Sequence, residues 1–588
     1  MILQALAEYY DRKAADLDPA NRLAPEGFEL KEVPFVLELD REGRLIQIED
    51  TREIQGKRKI GKSFLVPQSV KRASGIAANL LWDTAEYVIG IDTRGKPERV
   101  AEQHEAFKRH LKDTFGTFQD PGLVAVARFL ERMRLSDLES RREWNEIRET
   151  NPNLSFRFQG DVGLVCHRAA VLEAIQIRSG EAGLRGLCLV SGKTGEIERL
   201  HPAIKCVWGA QLSGGNIVSF NLEAFNSYGK SQGANAPVGK RAAFAYTTAL
   251  NHLLRKDSPQ RVQVGDASTV FWAERQSALE TAVGDIFGEP PNDDPDRNVR
   301  AVRSLYRSVA TGGFVTDNDT ARFYVLGLAP NAARIAIRFW HVSTVAVLAR
   351  HLRQHFDDLE IARPSWASPH PSLFRLLTSI AVQGKADNIP PNLGGDLMRS
   401  ILSGLPYPST LLHAAVRRCR AEQARRDQRS GKALANVTPE RAALIKAYIN
   451  RETRSRHSDL KENLKVSLDP NNPDLGYRLG RLFAALERIQ EDANPGINAT
   501  IRDRFYGAAS SAPVTVFPNL MRLKNHHLAK IENRGRVVNF EKLLGEIMSE
   551  IDDFPAILPL ADQGRFTIGY YHQQQAFYTK FDPASKGA

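Results

Sequence analysis

Pro34-Phe-Val-Leu-Glu-Leu-Asp-Arg-Glu-Gly43-Arg-Leu-Ile-Gln-Ile48 places two alternating apolar runs on either side of an acidic turn that ends in glycine. Alternation with a period of two, interrupted by such a turn, predicts a β-hairpin. Working outward, the first 25 residues read as an amphipathic helix ending before Pro25, and helical periodicity returns over residues 98–148. A second β-rich stretch covers residues 153–220. Within it Gly186-Leu-Cys-Leu-Val-Ser-Gly-Lys-Thr-Gly-Glu-Ile-Glu-Arg-Leu200 predicts another hairpin, turning over 191–195, and a helix opens at Lys240. Strands and helices therefore intermix in the N-terminal part.

Beyond it the pattern is mostly helical, with a strand over 321–328. The most apolar stretch, residues 334–348, contains Arg338, Trp340 and His341, is too short and polar to span a bilayer, and reads as a buried helix. Residues 417–432 read as an Arg-rich helix with seven basic and two acidic residues. Leu479, Leu482, Phe483, Leu486 and Ile489 share one helix face, with Arg478, Arg481 and Arg488 on the other, and Phe540, Leu543, Leu544, Ile547, Met548 and Ile551 repeat the pattern. Two proline- and Asx-rich loops mark boundaries: Pro290-Pro-Asn-Asp-Asp-Pro-Asp296 and Ser467-Leu-Asp-Pro-Asn-Asn-Pro473. The expected architecture is multi-domain α+β: a mixed hairpin, sheet and helical region over 1–290, a mostly helical region over 291–466, and a helical bundle over 467–588. A chain of 588 residues exceeds what one hydrophobic core supports.

The charge favours a polyanionic partner, since 80 Lys+Arg stand against 69 Asp+Glu, a formal net charge of +11. Four cysteines (Cys166, Cys188, Cys206 and Cys419) form no CxxC pair and read as buried free thiols of a cytoplasmic protein; no signal peptide or membrane span is expected. No chemistry stands out. Ser191-Gly-Lys-Thr194 lacks the glycine that a phosphate loop requires, because Leu187 occupies that position. His351 and His355 lack the glutamate of a zincin, His526 and His527 point apart on a helix, and Asp293, Asp294 and Asp296 have no partner motif. We expect no catalytic residues, no cofactor and no metal.

Two segments suit nucleic acid. From Thr51 to Arg72 seven Lys/Arg face one acidic residue, Glu53. There Lys57, Arg58, Lys59, Lys62, Lys71 and Arg72 suit phosphates, and Ser63, Gln68 and the following Asn79 add polar contacts. Gly56 and Gly61 bracket the basic run as a loop able to approach a duplex. The second segment runs Gln211-Leu-Ser-Gly-Gly-Asn-Ile-Val-Ser-Phe-Asn221 and continues as Phe225-Asn-Ser-Tyr-Gly-Lys-Ser-Gln-Gly-Ala-Asn-Ala-Pro237. Its candidates are Ser213, Gly214, Gly215, Asn216, Asn221, Lys230, Gln232 and Asn235, small or amide-bearing residues that fit a narrow groove. In the C-terminal half, Arg417, Arg418, Arg478, Arg481, Arg488, Arg522 and Lys524 read as basic outer faces.

Gly61-Lys-Ser-Phe-Leu-Val-Pro-Gln68, Lys71-Arg72, Ser74-Gly75 and Leu81-Trp82-Asp83 resemble the N-terminal part of the type I-C (Dvulg) CRISPR large subunit. So do Val218-Ser-Phe-Asn, Tyr228-Gly-Lys-Ser-Gln-Gly, Asn235-Ala-Pro, Tyr246-Thr-Thr-Ala-Leu-Asn-His252, Asp266-Ala-Ser-Thr-Val-Phe-Trp272 and Phe323-Tyr-Val-Leu-Gly-Leu-Ala-Pro-Asn331. Tyr477-Arg-Leu-Gly-Arg-Leu-Phe483 resembles its C-terminal helical part, so the likeness spans nearly the whole chain in order. The resemblance implies a non-catalytic subunit of a crRNA-guided Cascade, beside backbone, handle-binding and small subunits. It implies recognition of the protospacer-adjacent motif in duplex DNA, contact with the displaced strand, and later recruitment of a helicase–nuclease. It also implies that a segment beginning near Val466 can be made separately as a small subunit. The rival readings are a metal-dependent nuclease or ATPase, and a scaffold that binds nucleic acid without reading a motif.

Overall fold

The computed structural model describes residues 1–18, 21–55, 58–70, 72, 75–116, 119–178, 184–311, 321–390, 392–427, 429–456 and 464–578. Helices and small sheets intermix in an α+β architecture. The chain divides into two compact units, one made of Met1–Ile204 with Asn216–His252, the other of Lys205–Gly215 with Leu253–Ala588. The units thus separate at neither 290/291 nor 466/467.

In the first unit the strands are β1 (Phe28–Glu32), β2 (Phe35–Leu39), β3 (Leu45–Asp50), β4 (Glu53–Gln55), β5 (Arg58–Ile60), β6 (Ser63–Pro67), β7 (Trp82–Thr84), β8 (Asn153–Phe158), β9 (Arg185–Leu187) and β10 (Thr194–Glu196). The opening motif forms the expected hairpin, β2 against β3. It joins a four-stranded sheet of order β3-β2-β8-β7, in which β2 and β8 run parallel. Helices Pro97–Phe115 and Pro121–Arg132 cover one face, where Phe107 and Phe129 meet Phe156 at ring separations of 6.3 and 6.0 Å. Asp120 caps the second of these helices, accepting from the Gly122 and Leu123 N–H groups. The N-terminal helix, Ile2–Ala14, stops well short of Pro25. It packs on helix Lys240–Leu253 through Tyr10 and Phe244 and an Arg241–Asp11 ion pair at 3.0 Å.

Two expectations for this unit change. The basic run after Thr51 is not a free loop: β4 pairs with β5, and β6 pairs with β1. Residues 153–220 contain few strands, with a helix at Ala169–Arg178 and mostly irregular chain. The turn at 191–195 does join β9 and β10, with Leu187 opposite Thr194, so Ser191-Gly-Lys-Thr194 is a hairpin turn.

The second unit opens on an antiparallel meander, β11 (Arg261–Val264), β12 (Ala267–Ala273), β13 (Arg322–Asn331) and β14 (Arg334–Thr344). Residues 334–344, expected as a helix, are therefore a strand, and helix Val345–Leu359 begins only after it. Short apolar runs rich in β-branched and aromatic residues are ambiguous in sequence, and here pairing with β13 decides. The Arg-rich helix spans Ser409–Ala421 and ends before Arg425, whose backbone carbonyl then accepts from Leu434 N–H.

One continuous core runs from Val262 to Tyr571, across both expected boundaries. Its axis is helix Leu475–Ala493 against helix Leu560–Tyr578. A Cβ at Gly480 would lie 2.0 Å from the Phe566 carbonyl oxygen, and one at Gly569 would lie 2.0 Å from that of Tyr477. Only glycine permits this crossing. No helix among the described residues is long and apolar enough to cross a membrane.

Candidate nucleic-acid interface

Of the first basic segment, Lys57 and Lys71 lie outside the described residues, as does the Arg58 side chain. Lys59, Lys62 and Ser63 are exposed, and Lys62 Nζ sits 5.6 Å from the Phe64 ring centre. Strand pairing fixes the backbone beneath them: Lys62 O accepts from Val33 N–H, and Lys62 N–H donates to Thr51 Oγ1. Gly61 is buried, and a Cβ there would lie 2.9 Å from Pro34 N, so this glycine serves packing rather than approach to a ligand. Gln68 is half-buried, its N–H donating to Gly27 O at 2.7 Å.

Arg72 and Asn79 do different work from that expected. The Arg72 guanidinium pairs with Asp83, donates to Ala77 O at 2.6 Å, and lies 4.1 Å from the Tyr87 ring centre. Asn79 is 5 % exposed; its Oδ1 accepts from Val70 N–H at 2.9 Å. Burial raises the Asp83 carboxyl above its ordinary range, opposed by the Asn79 N–H and by Arg72. Asn79 and Asp83 are buried, and Arg72, though exposed, spends its guanidinium bracing the chain after β6.

In the second segment Gly214 N–H donates to Gln211 O at 2.9 Å, closing a turn with Leu212 at its fully exposed tip and Ser213 beside it. Gly214 has φ +86°, a conformation that favours glycine. Gly215 is packed closely, because a Cβ there would lie 3.1 Å from Ile335 Cγ1. Asn216 spends both amide hydrogens internally, Nδ2 donating to His201 O at 2.9 Å and Pro202 O at 3.1 Å. Donors needed to read minor-groove acceptors are thus already committed.

Asn221 is exposed. Ser227 to Lys230 form a tight turn in which Tyr228 (φ +52°) and Gly229 (φ +70°) are both left-handed, closed by Lys230 N–H to Ser227 O at 3.0 Å. Asn235 braces it. Its Nδ2 donates to Lys230 O and Gln232 O at 3.2 and 3.1 Å, and its Oδ1 accepts from Ser227 N–H at 3.0 Å. Gln232 Oε1 accepts from Arg199 at 2.6 Å. The amides hold the loop, and the loop presents Tyr228, 97 % exposed, with Lys230. The sequence signal for that tip was the Tyr-Gly pair between polar residues, a mark of turns with positive φ.

The C-terminal arginines also divide. Arg417 and Arg522 are among the more accessible, and Lys524 is half-buried. Arg418 lies 3.7 Å from Glu422, and Arg488 pairs with Asp492 at 3.3 Å. Arg478 and Arg481 are buried, at 5 % and 1 % exposure. Arg481 bonds Glu546 at 2.7 Å, Pro470 O at 2.9 Å and Gln573 at 3.2 Å, while Arg478 lies 3.8 Å from Glu550. Neither is an outer face. Cys166, Cys188 and Cys419 are buried as expected but Cys206 is exposed; burial pushes the Cys166 and Cys419 thiols up to about 12. His355 packs with Nδ1 2.6 Å from the Tyr407 hydroxyl, and His351 Nδ1 lies 2.7 Å from Leu402 O.

Residues 6–578 match the family model described as CRISPR-associated protein (Cas_Csd1). The chain belongs to this family. No curated protein matches it. As a Cas_Csd1 protein it is CRISPR-associated, and the likeness read from the motifs of both halves is consistent with a match that runs through both compact units.

Proposed function

We propose that this Cas_Csd1 protein is the non-catalytic large subunit of a crRNA-guided type I-C surveillance complex, Cascade. It recognises the protospacer-adjacent motif in duplex DNA, aids opening of the duplex, and contacts the displaced strand. Guide pairing then reads the target sequence. Backbone, handle-binding and small subunits are its partners, and a helicase–nuclease follows.

The observation that carries this reading is the family match over nearly the whole chain. The net charge of +11 and two exposed cationic elements of the first unit agree with it: the β5–β6 segment bearing Lys59 and Lys62, and the braced turn bearing Tyr228 and Lys230. Lysines there neutralise phosphate, and a rigid tip with a protruding ring suits a groove or a base step. The test is a complex reconstituted with crRNA and offered duplexes that differ only beside the protospacer. The reading requires affinity that depends on those base pairs at fixed salt. Cleavage of DNA or hydrolysis of ATP by the purified chain would instead support an enzyme.

A further inference from the structure

Helix Arg297–Thr311 carries Arg297, Arg300, Arg303 and Arg307 away from its buried Val302 and Leu305. The first two are neutralised, Arg297 by Asp285 at 2.8 Å and Arg300 by Asp294 at 2.5 Å. The next two line a cavity of about 420 Å³ against helix Val345–Leu359, together with Arg363, Tyr306 and His370. Among the described residues neither Arg303 nor Arg363 forms an ion pair. Burial, then Arg363 and Arg303, hold His370 down at about 4, which places both guanidinium groups near one neutral imidazole. Asp357 and Glu360 also line the cavity, and Asp357 is engaged by the Tyr306 hydroxyl at 2.5 Å and by Arg353 at 3.7 Å. Three residues beyond Arg363, a turn closed by Ala367 N–H to Pro364 O at 3.0 Å exposes Trp366 by 76 %.

Packing of a helix does not require Arg303 and Arg363 to gather without ion pairs of their own, nor does a stable core require an indole in water. Both suit a single strand: cations take the backbone, and an indole stacks on a base whose face pairing has not hidden. We propose that this groove and the Trp366 turn bind single-stranded nucleic acid, with phosphates on Arg303 and Arg363 and a base on Trp366. The inference rests on the nucleic-acid reading above and gives the second unit a contact that the buried Arg478 and Arg481 cannot make. A duplex fits less well, since its base faces are stacked internally.

The test uses the full chain, with fluorescence anisotropy of labelled oligo(dT) and oligo(rU) of about 20 nucleotides, beyond the footprint of one stacking site. Trp366→Ala is expected to weaken binding about tenfold and Trp366→Phe to restore most of it. Arg303→Gln with Arg363→Gln is expected to flatten the log K against log salt slope by about 1.4, roughly 0.7 for each phosphate no longer neutralised. A preference for either oligonucleotide supports the site and tells an RNA from a DNA strand. If Trp366→Ala and the double variant bind like wild type while wild type still binds duplex, the site is wrong and the wider reading stands. If Trp366→Ala frees a protein subunit of the assembled complex with oligonucleotide affinity unchanged, Trp366 is a protein contact and the inference fails. Wild type that binds neither single strand nor duplex would sink the wider reading itself.

Discussion

Arg481→Met separates a structural arginine from a nucleic-acid contact. The substitution keeps an unbranched apolar stem in much the same volume but removes the guanidinium. With it go the bonds to Pro470 O at 2.9 Å and Gln573 Oε1 at 3.2 Å, and the pair with Glu546 at 2.7 Å. Glu546 has a side-chain exposure of 52 %, so water solvates its carboxylate once the partner is gone, and that contribution is small. Pro470 is exposed, so water can replace the donor at its carbonyl, but Gln573 is only 3 % exposed, and a buried acceptor left without a donor costs about 1–3 kcal/mol. The retained methionine stem limits any cavity. The expected loss is therefore about 1–3 kcal/mol of unfolding free energy, read as a lower urea midpoint at unchanged m. Affinity for single strands, and its salt slope, should match wild type once both proteins are compared in their folded range. Arg522→Gln, at a more accessible position, should show the reverse: an unchanged midpoint and a slope reduced by about 0.7. An unchanged midpoint for Arg481→Met with a shallower slope would refute the burial argument.

Other outcomes follow from the same geometry. Gly480→Ala places a methyl 2.0 Å from the Phe566 carbonyl, so unfolding by urea should reveal a loss of at least about 1–3 kcal/mol, the range of overpacked cores. Burial pushes His572 down to about 3, so between pH 6.5 and about 4.5 the unfolded chain takes up a proton that the folded chain refuses. Stability should fall by about 2 kcal/mol over that window, and His572→Asn should flatten the pH dependence of the urea midpoint. Asn235→Ala removes the brace of the Tyr228 turn; amide exchange at Ser227 and Lys230 should speed up, and duplex affinity should drop without a comparable drop in global stability.

Elements were legible in the sequence where periodicity and turn chemistry agreed. The Pro34–Ile48 hairpin, the β9–β10 turn, helix Lys240–Leu253 and the apolar stripe from Leu479 to Ile489 all took the expected form. Residues 334–344 misled because apolar density marks burial without fixing a period, and the pairing of β14 with β13 is a long-range fact. Arg478 and Arg481 misled for another reason. A helical wheel divides a helix into faces but does not say how many neighbours it has. Gly476, Gly480 and Gly569 let Leu560–Tyr578 cross so closely that the polar side is enclosed as well. Composition likewise identified an amide-rich loop but not the direction of its amides. Asn216 and Asn235 turn inward onto backbone carbonyls, and the exposed chemistry passes to Tyr228 and Lys230.

The most direct test of the central claim measures the affinity of the crRNA-loaded complex for duplexes randomised beside the protospacer, at one fixed salt concentration. A subunit that reads the motif predicts that a small set of base pairs strengthens binding by about tenfold or more over the rest. Lys62→Ala and Lys230→Ala should weaken all duplexes together while leaving that ranking intact. Equal affinity across the randomised positions, with guide pairing alone deciding binding, would contradict it.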